Sequence, residues 1–488
     1  MPISPAYRPE PRFPELGDGF FDVVAAARFP SGRLRFRNQP WADRVGLGAL
    51  TDDEWAAHLW SFEPLPENLP QPLALRYHGH QFQSYNPNLG DGRGFLFAQF
   101  RDPLDGRLLD LGTKGSGQTP WSRGGDGRLT LKGGVREILA TEMLEALGVY
   151  TSKTFSLFET GEELERGDEP SPTRSSVLVR LSHGHVRFGS FQRHAYHRDP
   201  VRLQKLLEFS VEHYVPEAAA PPTGDLAASF VRAVSERSAR LAASWMIAGF
   251  VHGVLNTDNM NVTGESFDYG PWRFLPRYDP QFVAAYFDTG GLYAYGRQPA
   301  VVAWNLEQLA AALSSLTTVP ALEEALATFE EVFRAEYRTR FLERLGVAPR
   351  GDEADAALMR AALGFLAESY VGFDRFFFDW YGGSVSAERA LGGSAARHYA
   401  GPKYQEFRAA LDRMAPSHPE RLAQPYFQRD EPCSMVIQAV EAIWDPIARN
   451  DDWSPLESKV REIRAMGTAL GRPPAAACPL APVSGKGA

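Results

Sequence analysis

The spacing of apolar residues divides the chain near Pro200 into two parts of different structural type. In the range 73–191, short runs typical of β-strands are separated by glycines. The clearest strand candidates are 94–100, 153–158 and 176–181. After Pro200, the apolar residues recur mainly at helical spacing. The chain therefore has to combine a mixed β/α part with a helical part.

One helix is predicted among these strands. Val135, Leu139, Met143 and Leu147 lie at helical spacing, and Gly148 suits the C-terminal cap. Strands with a single inserted helix are the arrangement expected of a small lobe that covers a nucleotide.

Long helices are predicted in the second part, over 226–252, 322–344 and 354–380. A mixed β/α lobe followed by a mainly helical lobe is the layout of an α+β, protein-kinase-like, two-lobed fold. The predicted division is listed by range: 1–20 an extended N-terminal arm, 21–195 the N-terminal lobe, 196–470 the helical C-terminal lobe, and 471–488 a disordered tail.

Composition excludes several classes of function. The 488 residues carry a formal net charge of −9 and a pI of about 5.8, which disfavours a general nucleic-acid binder but leaves room for a local basic pocket. The two cysteines, Cys433 and Cys478, are too few for a disulfide framework or a cysteine zinc site. No signal-peptide or membrane-spanning pattern is found. We expect a cytoplasmic protein that binds neither nucleic acid nor membrane.

The segment Leu89-Gly-Asp-Gly-Arg-Gly-Phe95 is the first candidate for phosphate binding. Glycines at a turn between strands let backbone N–H groups approach a phosphate closely. A glycine-rich hairpin without a ligand fits the same residues equally well.

Lys114 and Glu137 form the second candidate. Lys114 follows a predicted strand, and Glu137 lies on the predicted helix after the glycine-rich segment Gly125-Asp-Gly-Arg128. In kinases a strand lysine is held by a helix glutamate and contacts the nucleotide phosphates. The alternative is an unrelated pair of surface charges.

The most informative segment is His252-Gly-Val-Leu-Asn-Thr-Asp-Asn259, followed by Asp268-Tyr-Gly270. Aligned with a kinase catalytic loop, Asn259 and Asp268 take the metal-binding positions, and their oxygens suit Mg²⁺ or Mn²⁺. The catalytic aspartate position falls on Val254, which cannot accept a proton, whereas Asp258 is a carboxylate close by. The alternative is a polar turn after a buried helix.

Two arginines and two histidine pairs complete the candidates. Arg180 and Arg187 lie on adjacent predicted strands and can clamp the end of a polyphosphate, although surface positions would explain them as well.

The His-x-His pairs at 78–80 and 183–185 have no evident third ligand nearby, which favours hydrogen-bonded core histidines over a metal site.

Together these motifs resemble the selenoprotein O family, also known as the YdiU family, over about 75–275. The matching segments are Gly79-His-Gln-Phe82, Leu89-Gly-Asp-Gly-Arg93, Lys114-Gly-Ser-Gly117, Thr119-Pro-Trp-Ser-Arg123, Gly125-Asp-Gly-Arg128, His185-Val-Arg-Phe-Gly189, His252-Gly-Val-Leu-Asn-Thr-Asp-Asn-Met260 and Asp268-Tyr-Gly-Pro271.

The resemblance implies a kinase-like protein that lacks the usual catalytic aspartate, binds ATP in a flipped orientation and transfers AMP to Ser, Thr or Tyr hydroxyls of proteins, itself included. Some similar bacterial enzymes use UTP with Mn²⁺, so UMP transfer is a variant of this expectation. The implied metal ligands are Asn259 and Asp268, the proton acceptor is Asp258, and the orienting glutamate is Glu137. The implied nucleotide contacts are Gly90, Gly92, Arg93, Lys114, Asp126, Gly127, Arg180, Arg187 and Asp268.

Two rival functions stay open at this point. A non-catalytic ATP-binding scaffold would retain most of these residues, whereas a conventional phosphotransferase is disfavoured by Val254. The chain also departs from the family at its end, where Cys478 is followed by Pro479, and after the Asp-Tyr-Gly-Pro segment, where Trp272 replaces the cysteine of some members. We therefore do not expect a disulfide between that segment and the tail.

Overall fold

A computed structural model describes residues 3–167, 169–219 and 224–475. The predicted tail, 471–488, lies outside the described residues from position 476 onward. Strands and helices are both abundant, which confirms the predicted α+β character.

The main sheet has eight antiparallel strands within the described residues, in the order β1-β3-β6-β7-β10-β9-β2, with β8 paired to β10. Two short pairs, β4 with β5 and β11 with β12, lie outside it. The strands are β1 Phe21–Val23, β2 Arg33–Arg37, β3 Leu73–Leu75, β4 Gly79–Gln81, β5 Ser84–Asn86, β6 Leu96–Arg101, β7 Leu108–Lys114, β8 Leu129–Thr130, β9 Lys153–Leu164, β10 Thr173–Ser182, β11 Phe250–Val251 and β12 Arg273–Phe274. The three strand candidates correspond to β6, β9 and β10 and are confirmed.

The helices follow the predicted distribution, with most of them after Pro200. They are α1 Gln39–Arg44, α2 Asp52–Leu59, α3 Leu131–Ala146, α4 Phe188–Tyr196, α5 Pro200–His213, α6 Leu226–Ala248, α7 Gln298–Leu313, α8 Val319–Leu345, α9 Asp352–Glu368, α10 Phe373–Asp379, α11 Ala387–Gly392, α12 Pro402–Leu411, α13 Ile437–Asn450 and α14 Ser454–Ala469. In the described part of the chain, no helix combines the length and hydropathy needed to cross a membrane.

Helix α3 is the predicted helix among the strands. Thr130 is the N-cap that precedes the helix, and its hydroxyl accepts the Gly133 N–H at 3.1 Å. The buried face of α3 packs on β9 and β10, with Val135, Ile138 and Leu139 fully inside the core. This packing fixes the side of the sheet to which Glu137 points.

Two helix predictions need correction. The helix predicted over 226–252 ends at Ala248, because Gly249 adopts φ +69° and a Cβ there would lie 2.5 Å from Phe373. The chain then forms β11, so that His252 begins a loop. The helix predicted over 354–380 is two helices, α9 and α10, separated by residues 369–372, where Ser369 and Gly372 have extended backbones.

The two ends of the described chain pack on the sheet region. Within the predicted N-terminal arm, Phe13, Leu16 and Phe20 are buried in the main hydrophobic core. At the other end, α14 packs against α3, and Arg464 forms a bidentate ion pair with the buried Glu142 of α3 at 2.6 and 2.8 Å. Helix α3 is therefore held between the sheet and the C-terminal helix.

Candidate functional site

A cavity of about 770 Å³ opens between the glycine-rich turn after β5, the ends of β7 and β10, and the loop after β11. This volume lies within the range typical of small-molecule sites. All predicted nucleotide and metal residues line it, together with Asp258: Gly90, Gly92, Arg93, Lys114, Asp126, Gly127, Arg180, Arg187, Asn259 and Asp268. The fold thus brings segments far apart in sequence into one site.

Lys114 is the centre of a buried charge network. Its Nζ lies 2.5 Å from Oε1 of Glu137 and 2.9 Å from Oδ1 of Asp268. Arg180 approaches the same two oxygens, with its Nη2 3.5 Å from Asp268 and 3.7 Å from Glu137. Glu137 lines no part of the cavity itself and acts on the site through Lys114.

Asp268 is set in an unusual backbone conformation. Its φ is +63°, a region that aspartate tolerates better than most residues and that often marks functional sites. Burial opposes its ionisation, but the nearby charges of Lys114, Arg180 and Arg187 outweigh burial and hold the pKa of Asp268 well below its usual value. Asp268 is therefore a carboxylate throughout the physiological pH range and can bind a cation.

Arg187 connects the glycine-rich turn with the loop that carries Asp258. Its Nη1 donates to the backbone carbonyl of Asp258 at 2.8 Å, and its Nη2 lies 3.2 Å from Oδ1 of Asp91. The guanidinium packs over Tyr77 and Phe267. The Nε atoms of Arg187 and Arg180 are buried and have no hydrogen-bond partner among the described residues. Both arginines line the cavity and contribute positive charge to its wall.

Asp258 lies in a short 3₁₀ turn, Thr257–Asn259, where it is almost fully buried. Burial raises the pKa of Asp258 to about 6, against the opposing charge of Arg187. Its Oδ1 has no hydrogen-bond partner in the described part of the chain. Strand β4 packs closely against the Asp258 carboxylate. A Cβ added at Gly79 of this strand would lie only 2.9 Å from Oδ1 of Asp258. A buried carboxylate with an unused oxygen is a suitable proton acceptor.

The donor set fits a hard divalent cation. The amide nitrogen of Asn259 donates to the carbonyl of Val254 at 3.0 Å, which leaves the amide oxygen directed elsewhere and available to a metal. The described residues contain no cluster of three or more His, Cys, Asp or Glu side chains suited to a metal. Two protein oxygens with phosphate and water completing the shell are typical of Mg²⁺ sites in nucleotide enzymes.

The glycine-rich turn is held close to the following loop. Thr119 and Ser122 donate to the backbone carbonyls of Asp91 and Gly92 at 2.5 and 2.6 Å. A Cβ on Gly90 would lie 2.4 Å from the Trp121 ring, so a larger residue could not occupy this position without moving that ring. Arg93 remains exposed along the cavity.

Asp126 and Gly127 lie at the edge of the cavity and do not contact the charge network. The Asp126 carboxylate is half exposed and forms an ion pair with Arg166 at 2.8 Å. It also accepts the Arg128 N–H at 2.9 Å. Burial raises the pKa of Asp126, but the hydrogen bonds and charges of Arg166 and Arg128 together outweigh burial and lower it.

Sequence reasoning did not assign Asp91, although it lies within the glycine-rich motif. Besides its ion pair with Arg187, its Oδ2 accepts the Leu75 N–H at 3.0 Å, so it holds the turn to β3. An acidic residue between two glycines is the sequence signal that could have identified Asp91.

Sequence reasoning also missed Asn256. Its Oδ1 accepts hydrogen bonds from the Phe82 N–H at 3.1 Å and from the Tyr293 hydroxyl at 2.6 Å, which fixes the loop before Asp258.

The paired histidines are hydrogen-bonded within the protein, as predicted. His78 Nδ1 lies 2.7 Å from the Tyr85 hydroxyl, and His80 Nδ1 lies 2.9 Å from Gln192. His183 and His185 are buried against Tyr150 and Asp110 at 2.5 and 3.1 Å. None of these contacts resembles a metal site.

Comparison with known proteins matches nearly the whole chain. A family model described as "Protein adenylyltransferase SelO" matches residues 5–464. A protein of Synechocystis sp. named "Protein nucleotidyltransferase YdiU" is 44% identical over 486 residues, covering 93% of this chain and 98% of that relative. A relative with the same name in Gloeobacter violaceus is 47% identical, over 93% of this chain and 94% of the relative. Another, in Cereibacter sphaeroides, is 40% identical, over 70% of this chain and 71% of the relative.

Proposed function

Since the chain belongs to the protein adenylyltransferase SelO family, we propose that it transfers AMP from ATP to a hydroxyl group of a protein and releases pyrophosphate. One observation carries the proposal: the cavity brings the cations Lys114, Arg180 and Arg187 and two candidate metal ligands together with the buried carboxylate of Asp258. Val254 occupies the position of the kinase base.

We propose that the sheet with α3 and the helices after Pro200 are the two lobes of a protein-kinase-like fold, divided as 21–195 and 196–470. The support is the order of the elements and the position of the cavity between the sheet and the loop after β11. In this arrangement the Lys114–Glu137 pair corresponds to the lysine and glutamate that hold phosphates in kinases.

At phosphorus, the proposed reaction forms one bond and breaks one. The oxygen of the target hydroxyl bonds to the α-phosphorus of ATP, the bond from that phosphorus to the α–β bridging oxygen breaks, and pyrophosphate leaves. The O–H bond of the hydroxyl breaks as its proton passes to the carboxylate of Asp258. Lys114, Arg180 and Arg187 stabilise the charge on the leaving group. A Mg²⁺ or Mn²⁺ ion, held by Asn259 and Asp268, would supply further charge neutralisation.

The hydroxyls of Ser, Thr and Tyr on other proteins, and on the chain itself, are the proposed acceptors. UTP is the alternative donor, since the phosphate-binding residues do not discriminate between bases. A scaffold that binds ATP without chemistry is the second candidate, because the cations alone would hold a triphosphate. Asp258 favours catalysis over that alternative, since its buried, unpartnered oxygen has no evident structural purpose.

Labelled nucleotides separate these functions. With Mg²⁺ or Mn²⁺, we expect covalent label on protein from α-³²P-ATP and none from γ-³²P-ATP, because only the α-phosphate stays with the acceptor. Parallel reactions with α-³²P-UTP measure the donor preference. Label from γ-³²P-ATP alone would restore the phosphotransferase, and the absence of label from every donor, with ATP binding intact, would favour the scaffold.

Arg180 is expected to recognise the terminal phosphates. If the triphosphate end turns inward, Arg180→Met should weaken ATP binding by about 1.5–3 kcal/mol, the scale of a hydrogen bond to a charged group, or roughly 10- to 150-fold. AMP binding should change little, because AMP lacks the β- and γ-phosphates. Isothermal titration with both nucleotides measures the difference.

A matched control is Arg232→Met, since Arg232 pairs with Glu324 on an exposed helix surface. Arg187 is the less suitable probe, because its guanidinium also holds the backbone of Asp258. Equal weakening of ATP and AMP binding by Arg180→Met would contradict the inward orientation.

A further inference from the structure

A second cavity, of about 230 Å³, lies at the opposite end of β7 and β10 from Lys114. Its lining combines apolar side chains such as Leu109 and Leu181 with six charged ones, and it shares no lining residue with the nucleotide cavity. The charged residues are Arg107, Glu145, Lys153, Glu265, Arg340 and Arg472. The proposed nucleotide transfer uses none of these residues.

The walls of this cavity suit a single aromatic ring. Trp41, Leu109, Val149 and Leu181 are each at most 4% exposed and form an apolar lining. An apolar cavity of about 150 Å³ binds benzene, and pockets for drug-sized ligands begin near 300 Å³. A volume of 230 Å³ therefore fits one ring with small substituents. The Trp41 ring itself is already in contact with the Arg44 guanidinium and the Lys153 ammonium, at 4.6 and 5.3 Å from its centroid.

Two guanidiniums meet at one end of the cavity, beside Gly148. Arg340 donates to the Gly148 carbonyl at 2.7 Å, and the Arg472 side chain packs so closely that a Cβ on Gly148 would lie 2.4 Å from its Nε. Burial and the adjacent charge of Arg340 lower the pKa of Arg472. Each arginine also has an acidic partner, and Arg340 pairs with Glu336 at 2.7 Å. Glu343 pairs with one nitrogen of Arg472, at 2.9 Å. A carboxylate placed between the arginines would relieve this repulsion.

Further hydrogen-bonding groups line the cavity at Glu265, which lies near the cations Lys153 and Arg107. Glu265 is buried and accepts the His183 N–H at 2.8 Å through one oxygen. Burial raises the pKa of Glu265 to about 7. The neighbouring Ser182 hydroxyl is buried and has no partner among the described residues. A hydroxyl on a ligand could pair with these groups, since each accepts a hydrogen bond.

We propose that this cavity binds a small aromatic carboxylate, with its carboxylate between Arg340 and Arg472, its ring against Leu109 and Leu181, and a hydroxyl opposite the carboxylate at Glu265 and Ser182. An aromatic amine of the same size is disfavoured, because cations outnumber acidic side chains in the lining: Arg107, Lys153, Arg340 and Arg472 against Glu145 and Glu265. The proposal stands apart from the nucleotide transfer, since it rests on different residues.

The cavity is also connected to the nucleotide site. Glu265 is followed by Ser266, whose N–H donates to the Tyr150 carbonyl and whose carbonyl accepts the Ser152 N–H, both at 2.9 Å. The wall of the cavity and the segment that leads to Asp268 are thus one hydrogen-bonded unit. A ligand that shifts this wall changes the position of Asp268, and binding at the two sites is then coupled reciprocally.

The test is titration of the full-length protein with 4-hydroxybenzoate, monitored by calorimetry, with 4-hydroxybenzylamine as the cationic probe of matched size. We expect saturable one-site binding of the carboxylate and none of the amine. With the site saturated, the affinity for ATP in the presence of Mg²⁺ should change at least about fivefold, within the usual range of coupling between sites.

Two variants locate the site. Arg472→Gln should weaken 4-hydroxybenzoate at least tenfold, and Val149→Phe, which fills the cavity, should abolish its binding while ATP binding remains. Arg461→Gln, at an exposed position of α14, is the matched control and should have no effect. Lack of saturable binding, equal binding of the amine, or unchanged affinity in Arg472→Gln would overturn the site. An unchanged ATP affinity with the site saturated would overturn the coupling.

Discussion

Asp268→Asn is expected to reduce nucleotide transfer by about 10²–10⁴-fold, because a metal at the phosphates contributes several kcal/mol of charge stabilisation. Asparagine is the appropriate replacement, since the residue has φ +63° and asparagine tolerates that region, whereas alanine would add strain. The measurement is the initial rate of label transfer from α-³²P-ATP, together with the dependence of ATP binding on Mg²⁺ or Mn²⁺.

The matched control for this variant is Asp53→Asn, on the exposed first turn of α2. It should transfer label at the rate of the unmodified chain. Lys114 keeps Glu137 as a partner in Asp268→Asn, so we expect the fold to persist, as the thermal midpoint would verify. A variant that transfers label at the normal rate, with the same metal dependence, would refute the assignment of Asp268 as a metal ligand.

Asp258→Asn is expected to slow transfer by about 10²–10⁴-fold, the usual contribution of a general base. ATP binding should stay within about threefold, because the carboxylate of Asp258 makes no contact with the cations that are proposed to hold the phosphates, and Arg187 binds its backbone carbonyl instead. Asparagine has almost the same shape, which preserves the packing against Gly79. Single-turnover labelling and ATP titration measure the two effects separately.

This second variant distinguishes the proposed enzyme from the scaffold. A large loss of transfer with intact ATP binding assigns chemistry to Asp258. Normal turnover would mean that the proton passes elsewhere, and loss of ATP binding would mean that Asp258 is a structural residue. The control Asp53→Asn applies here as well, since it makes the same chemical change away from the cavity.

Much of the site could be predicted from the sequence because its residues occur in motifs with local causes. The glycines at 90 and 92, the strand before Lys114 and the helix of Glu137 follow from turn chemistry and apolar spacing. The replacement of the kinase base by Val254, with Asp258 nearby, is likewise a property of one short segment.

Helix boundaries were less predictable. The apolar pattern continues through Gly249 and through residues 369–372, so periodicity alone extends both helices too far. The first helix ends at Gly249, whose left-handed backbone caps it. A side chain at this position would meet Phe373, which is distant in sequence, so packing also requires the glycine.

The sequence by itself determined which residue types are present and which elements carry them: a lysine on a strand, a glutamate on a helix, two arginines, and a loop with Asp258 and Asn259. Only the tertiary structure decided which of them meet. In the folded protein, Lys114 pairs with Asp268 as well as with Glu137, and Arg187 donates to the backbone carbonyl of Asp258. Asp126 instead pairs with Arg166, and a second cavity forms away from the nucleotide site. The reason is physical: side-chain spacing fixes local structure, whereas the burial and pairing of charges depend on chain segments that only folding brings together.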